Sequence, residues 1–426
     1  RLGSRDLCRA KGRQVLMGRF PEGFIWGAAT AGHQVEGDNF NSDTWFAEHT
    51  TPTLFKEPSG KACNSYVLWR EDVDLAKGLN FNSYRFSLEW ARIQPAEGEF
   101  DEKELAHYEA IIDYCIEQGL EPIVTLNHFT SPHWFAKLGS WINPVSAELF
   151  ATYVTKVMQR YGSKLKHVVT LNEPNLPPLL TWVHMPEFVY ELTAANLKAA
   201  SEKAGVDNYR LSNVVRKDEF DAMGDGLEAA HIAARKAIRA AAPNVKLGLS
   251  IAIVDDRVVG NDASLRDRKR EEVYGRWLRL AKDDDFIGVQ NYESVYYDAE
   301  HAIEPGPEVP RNGMGSAIDP TALEGAVRYA YEQAGVPVFV TENGLSTTDD
   351  AQRAAFIPPA LEGLHRAIED GVEVLGYSHW SLLDNFEWIF GYGPKFGLFD
   401  VNFETFERTA KPSAGVLAQI AKNNAV

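Results

Sequence analysis

Hydrophobic positions along the chain fall into short β-branched and aromatic runs, each followed by a longer stretch with apolar residues at helical spacing. The alternation persists from Phe20 to the C-terminus. The short runs predict strands over Phe24–Thr30, Ser83–Leu88, Pro122–Leu126, His167–Leu171, Lys246–Ile253, Phe286–Tyr292, Val336–Thr341 and Val374–Leu382. The longer stretches predict helices over Tyr66–Gly78, Lys103–Gly119, Val145–Tyr161, Gly226–Ala242, Pro320–Gly335 and Ala351–Gly371, with Pro412–Ala421 closing the chain. Strand-helix units repeated in this way, with no composition break between them, predict an α/β chain folded as a single-domain (β/α)8 TIM barrel. An open doubly wound sheet would normally carry a glycine-rich phosphate loop after an early strand. Neither GxGxxG nor GxxxxGK[ST] stands in such a place. The barrel is expected over residues 17–426, with residues 1–16, which precede Met17 and show no pattern, read as a leader or upstream segment.

Charge and cysteine content narrow the function classes. The 426 residues carry 60 acidic and 43 basic side chains, a net charge of -17. Such an excess repels phosphates and anionic lipid, so a nucleic-acid or membrane partner would need a local basic patch. The nearest candidate, Arg266 to Arg270, interleaves acidic residues and reads as a solvated helix face. Cys8, Cys63 and Cys115 are odd in number and widely spaced, which argues against a disulfide framework and a zinc site and suggests a cytoplasmic protein. No apolar run reaches the ~18 residues of a membrane span.

In a barrel of this kind chemistry sits at the C-terminal ends of the strands. There the sequence places Tyr84-Arg85-Phe86-Ser87, Asn127-His128-Phe129, Asn172-Glu173-Pro174, Gln290-Asn291-Tyr292, Thr341-Glu342-Asn343-Gly344, and a run from Trp380 to Glu387-Trp388. Glu173 and Glu342, at the ends of the fourth and seventh strands, would face each other across the mouth, as an acid and a nucleophile or base must around a glycosidic bond. The separation that distinguishes a retaining from an inverting pair is not written in a sequence. Either glutamate alone could equally be a helix cap or an ion-pair partner; together, with Asn172 and Tyr292 beside them, they point to catalysis.

These motifs resemble glycoside hydrolase family 1, the retaining β-glucosidases and their relatives, from about Phe20 to Ala421. The resemblance is carried by Phe20-Pro21, Phe24-Ile25-Trp26-Gly27-Ala28-Ala29-Thr30, Gln34-Val35-Glu36-Gly37, Tyr84-Arg85-Phe86-Ser87 with Trp90 and Arg92, Thr170-Leu171-Asn172-Glu173-Pro174, Thr341-Glu342-Asn343-Gly344, and Trp380 through Trp388, in the family's order. It implies that Glu173 is the acid/base and Glu342 the nucleophile, with Arg85 and Tyr292 holding Glu342 and Asn172 bonding the sugar 2-hydroxyl. It further implies a sugar site of Gln34, His128, Glu387 and Trp388 with Trp380 as platform, and Trp141 nearby. Trp69 and Trp277, in helical stretches, are expected in the core.

The resemblance also bears on substrate. Relatives that act on 6-phosphoglycosides replace the residue at Glu387, so its presence implies an unphosphorylated sugar, and Glu173 argues against the thioglucosidase branch. The reaction so implied is retaining, exo-acting hydrolysis of small β-glycosides or short β-linked oligosaccharides, with no metal and no cofactor. Gln34 and Glu387 suit glucose, galactose and fucose alike. A sugar-binding or sensory protein on the same barrel is the alternative, against which the intact glutamate pair weighs. Two segments depart from the family, Asn175 to Gly226 and a shortened Ile253 to Asp285, and both are expected to border the leaving group.

Overall fold

The computed structural model describes residues 18–183 and 185–426, so the expectations for residues 1–16 and for Cys8 lie outside the described residues. Eight parallel strands close into a barrel: β1 Ile25–Ala29, β2 Ser83–Ser87, β3 Glu121–Asn127, β4 His167–Asn172, β5 Lys246–Ala252, β6 Ile287–Asn291, β7 Val338–Asn343 and β8 Val374–Trp380. Each strand pairs with the next in sequence, and β1 closes on β8 from Ile25 opposite Gly376 to Ala29 opposite Trp380. The TIM-barrel expectation is met, with strand ends displaced by a residue or two.

The strands are almost wholly buried because helices cover the outside while side chains fill the inside. Inside, Ile123, Val169, Phe286 and Phe339, with Ile25 and Leu375 against them, form a separate apolar cluster near the strand N-terminal ends. On two of these strands the residue two further along is polar: Thr125 follows Ile123 and Thr341 follows Phe339, with a strand period of two keeping each pair on one face. The barrel is thus plugged at one end and polar at the other.

Outside, the main core joins the strands to helices Ser65–Gly78, Glu102–Glu117, Ser146–Tyr161, Phe220–Ala241, Ala322–Ala334, Asp350–Glu369 and Pro412–Asn423, close to the expected set. Trp277 lies in this core and Trp69 packs against it. Cys63 and Cys115 are buried and unpaired. Among the described residues no helix is long and apolar enough to cross a membrane.

Two excursions at the polar end differ from expectation. The segment after β4 forms two helices, Leu176–Trp182 and Glu187–Ala204, which are not among the expected set. After β5 the chain makes a strand, Asp255–Val258, that pairs with Ser294–Tyr297 beyond β6. It then returns through helical turns from Ser264 to Leu280, with a π-helical stretch at Glu271–Gly275. Here the solvated-face reading of Arg266 to Arg270 holds for the exposed Asp267 and Arg268 and is corrected at Lys269. Lys269 is fully buried, its Nζ 2.6 Å from the equally buried Asp256 Oδ1, because the returning segment folds over the sheet and an ammonium enclosed there requires a carboxylate partner.

Candidate active site

Strand parity alone would not point both glutamates inward. On β7, Phe339 and Thr341 face the barrel interior, so strict alternation would turn Glu342 outward; the pairing with β6 shifts register between Val340 and Glu342 and turns it in. On β4 a register shift against β5 between Val169 and Asn172 does the same for Asn172. Glu173 follows in the left-handed backbone region, φ 45°, which a residue with a side chain adopts only when held; its N–H donates to Ser250 O at 2.8 Å.

Arg85, fully buried on β2, organises one side of the mouth. Its Nη1 donates to Glu342 Oε1 at 2.9 Å and to Thr341 O at 3.2 Å, its Nη2 to Asn172 Oδ1 at 2.8 Å, and its Nε to Thr125 Oγ1 at 3.0 Å. The Tyr292 hydroxyl donates to the second oxygen, Glu342 Oε2. Burial and the nearby Glu342 charge hold that phenol far above its ordinary range, so it remains a donor. With Oδ1 taken by Arg85, Asn172 keeps its Nδ2 buried and free of partners.

Three carboxyl groups act on one another here, and only Glu342 is bonded to the guanidinium. Burial raises Glu342, opposed by the Arg85 charge and the Tyr292 and Arg85 hydrogen bonds. Among the described residues Glu173 has no ion pair of its own, and it is pushed up to about 8, first by burial and then by the Glu342 charge, against Gln290 and Arg85. Glu387 is likewise pushed up to about 8 by burial and Glu342, with Gln34 opposing. Such groups titrate jointly, and the one bonded to the cation ionises first. The Arg85 and Tyr292 hydrogen bonds favour the ionised form of Glu342, while burial and the Glu342 charge favour the protonated forms of Glu173 and Glu387.

The other side of the mouth is flat and aromatic. The His128 ring lies near-parallel to Trp380, at 24° and 5.8 Å, and to Trp388, at 12° and 6.2 Å. Burial, with Arg85 adding to it, keeps His128 far below its ordinary pKa and therefore neutral, and its Nδ1 has no partner. Trp380 packs with Ala29, Ala31, Tyr292 and Phe396. Gln34, in the short helix Gly32–Val35 after β1, donates from Nε2 to Phe386 O at 2.8 Å, Asn385 Oδ1 at 3.1 Å and Glu387 Oε2 at 3.4 Å, leaving Oε1 buried and unbonded. Unmatched donors and acceptors beside an aromatic face suit a pyranose, which brings hydroxyls and an apolar C–H face.

The structure therefore gathers Arg85, Asn172, Glu173, Tyr292, Glu342, Gln34, His128, Trp380, Glu387 and Trp388 at one end of the barrel. Trp141 is the exception. It is 1% exposed and packs against Trp90, Phe135 and Phe150, a core position rather than one on the mouth. Its backbone is also closely covered: a Cβ at Gly226 would fall 1.8 Å from Trp141 O. Residues not singled out from sequence also take part. His33 stacks on Trp388 at 5.5 Å and 12°, Thr125 bonds Arg85, and Gln290 faces Glu173. Gln290 lies near a strand end, Thr125 inside β3 and His33 in the short helix after β1, and none of these residue types carries a signal there alone. Among the described residues no cluster of three or more His, Cys, Asp or Glu could hold a metal.

Comparison with known proteins agrees with this geometry. The sequence profile described as Glycosyl hydrolase family 1 matches residues 16–210 and 278–426. The unmatched interval, 211–277, includes helix Phe220–Ala241, β5 and most of the excursion after it. A 1,4-β-D-glucan glucohydrolase of Thermotoga neapolitana is 30% identical over 96% of this chain and 99% of its own. A bifunctional β-D-glucosidase/β-D-fucosidase of Bifidobacterium breve is 30% identical over 92% and 96%. Among solved structures, a β-glycosidase is 43% identical with a TM-score of 0.90, covering 96% of this chain and 98% of that one. The β-glucosidase of Thermotoga maritima, solved in complex with cyclophellitol, is 26% identical with a TM-score of 0.82 over 96% and 100%. The chain belongs to glycosyl hydrolase family 1 and is a β-glucosidase-type enzyme that hydrolyses O-glycosyl bonds.

Proposed function

We propose that this enzyme removes terminal, unphosphorylated β-D-glucosyl residues, and galactosyl or fucosyl residues in the same pocket, by a retaining double displacement. The observation that carries the reading is the unequal setting of two carboxyls. Glu342 is bonded to Arg85 and Tyr292, whereas Glu173, without a cation of its own, is raised to about 8. Protonated Glu173 gives its proton to the leaving oxygen while Glu342 attacks the anomeric carbon, so the C–O bond to the aglycone breaks as an ester to Glu342 forms. Esterification removes the Glu342 charge, and with it the second largest cause holding Glu173 protonated. Glu173 then accepts a proton from water as that water displaces the Glu342 ester.

Asn172 Nδ2 is free to donate to the 2-hydroxyl, and Gln34 Oε1 and His128 are free for the hydroxyls further round the ring. Glu387 has no ion pair among the described residues, so that corner offers no cation to hold a 6-phosphate. The two-helix excursion from Leu176 to Ala204 follows Glu173 directly and borders the aglycone. The test is the configuration of the first sugar released from an aryl β-glucoside, followed by proton NMR, across neutral and 6-phosphorylated glucosides. Release of the β-anomer from neutral sugars is expected; initial release of the α-anomer, or preference for the phosphorylated substrate, overturns the proposal.

A further inference from the structure

Among the groups at the barrel mouth that keep a buried polar atom unbonded are Gln34 Oε1, His128 Nδ1, Asn172 Nδ2 and Gln290 Nε2. The first three face the sugar in the reading above, and Gln290 is left without a task. It sits on β6, 1% exposed, with its Cα paired to that of Glu342 on one side and Ala252 on the other. Its Oε1 accepts from Thr341 Oγ1 at 2.9 Å, and Thr341 Oγ1 lies 2.8 Å from Ser250 Oγ. A hydroxyl has one proton. With that of Thr341 given to Gln290, Ser250 donates to Thr341, and in this arrangement the amide oxygen is held toward Thr341 with its NH2 turned away. Ser250 also accepts the Glu173 N–H through its carbonyl at 2.8 Å, so one residue anchors both the backbone of Glu173 and the relay. The relay needs Gly288 on the neighbouring strand, where a Cβ would fall 2.2 Å from Ser250 Oγ.

We propose that Gln290 is a positioning residue for Glu173: the Ser250–Thr341 relay aims its amide so that Nε2 donates to the Glu173 carboxylate whenever that group is ionised. The inference rests on Glu173 being the acid/base. Gln290 Nε2 makes no bond at full hydrogen-bond geometry in the resting site, yet it acts on the Glu173 carboxyl to lower its pKa. A contact that is loose toward a neutral carboxyl tightens when the carboxyl becomes an acceptor-only anion. The other charged or titratable groups facing Glu173 are Glu342 on β7, Arg85 on β2, Tyr292 beyond β6 and Glu387 beyond β8. Of these Arg85 alone is a cation, and its donors are directed to Glu342, Asn172, Thr125 and Thr341. Gln290 therefore supplies the donor that the ionised acid/base otherwise lacks.

The experiment is the pH dependence of kcat/KM for the full chain carrying Gln290→Met, a side chain of similar length without donors, on an aryl β-glucoside. Loss of a donor to the ionised form raises the pKa of Glu173, so the basic limb moves up by about half a pH unit or more. A limb that stays in place, whatever happens to the plateau, shows a merely structural role and overturns the inference. A limb that moves down shows the amide oxygen facing Glu173 and overturns it as well. Should Gln290→Met not fold, Thr341→Val releases the amide and is expected to move the limb in the same direction by less; an unmoved limb there overturns the proposal. Glu173→Ala, measured on a glucoside with an activated leaving group, separates the two readings. A basic limb that persists without Glu173 sinks the acid/base assignment itself. A limb that vanishes there but stays put in Gln290→Met sinks only this inference.

Discussion

Arg85 Nη1 donates to Glu342 Oε1 at 2.9 Å with the arginine fully buried and the glutamate nearly so. A buried charge pair is weak evidence for stability, because desolvation offsets the attraction, but it decides which carboxyl in a crowded site is ionised. Here it selects Glu342 over Glu173 and Glu387. The same guanidinium reaches Asn172, so the proposed nucleophile and the proposed 2-hydroxyl contact are set by one rigid fork.

Arg85→Lys tests that fork. An ammonium can keep the charge beside Glu342 but cannot hold Glu342, Asn172 and Thr125 at fixed angles together. Turnover is expected to fall about a hundredfold or more, with the folded state retained by circular dichroism. Turnover within a few fold of the parent would mean that charge alone matters.

The two glutamates should separate by leaving group. Glu342→Ala is expected to abolish turnover of every glycoside. Glu173→Ala should lose about 10²–10⁴ on substrates whose leaving group needs a proton, and far less in the glycosylation step of those that depart unaided. A uniform loss in that step across a series of aryl glucosides, from pre-steady-state kinetics, would remove Glu173 from the acid role.

Much of this was legible in the sequence because the physics behind it is local. A barrel strand buried on both faces reads as a short run such as Val338-Phe339-Val340, and each was found within a residue or two. Arg85, Asn172, Glu173, Tyr292 and Glu342 come together because strand ends converge in this fold, whereas Gln34, Glu387 and Trp388 are expected in the site only from the family resemblance. What stayed hidden depends on longer-range packing. No helix is expected between Asn175 and Gly226, yet Pro177 and Pro178 fall in the first turn of Leu176–Trp182, where a missing N–H is harmless, and Pro186 precedes Glu187–Ala204. Lys269 reads as solvent-facing because its partner Asp256 arrives from another strand. Trp141 resembles a site tryptophan by its neighbours in sequence, and only the packing of Trp90 and Phe150 around it shows otherwise. The register shifts that turn Asn172 and Glu342 inward leave no mark in the residue pattern.

Trp141 and Trp380 should therefore respond differently. Trp141→Ala opens a cavity in the core and is expected to destabilise the fold by about 3–5 kcal/mol, seen in denaturant unfolding, with KM little changed in the folded fraction. Trp380→Ala removes an aromatic wall of the mouth and should raise KM for aryl glucosides about tenfold. A KM effect of Trp141→Ala as large as that of Trp380→Ala would return Trp141 to the site.

The raised carboxyls also make stability depend on pH in a definite direction. Glu36 and Asp43 stand at about 7 and Glu173 and Glu387 at about 8, chiefly through burial, against about 4 for the same groups unfolded. Between those values the folded state binds more protons than the unfolded chain, so stability falls as pH rises through the folded pKa values. Below about pH 6.5 the neutral histidines oppose the trend: His107 is lowered to about 4 and His379 to about 3, and each favours the fold as pH rises toward 6.5. The clean window is therefore about pH 6.5 to 8.5, over which the unfolding temperature is expected to drop. Glu173→Gln combined with Glu387→Gln removes two of the four carboxyls and should flatten the slope in that window. Calorimetric profiles that run parallel for parent and double variant would show that these two carboxyls are already ionised in the resting site.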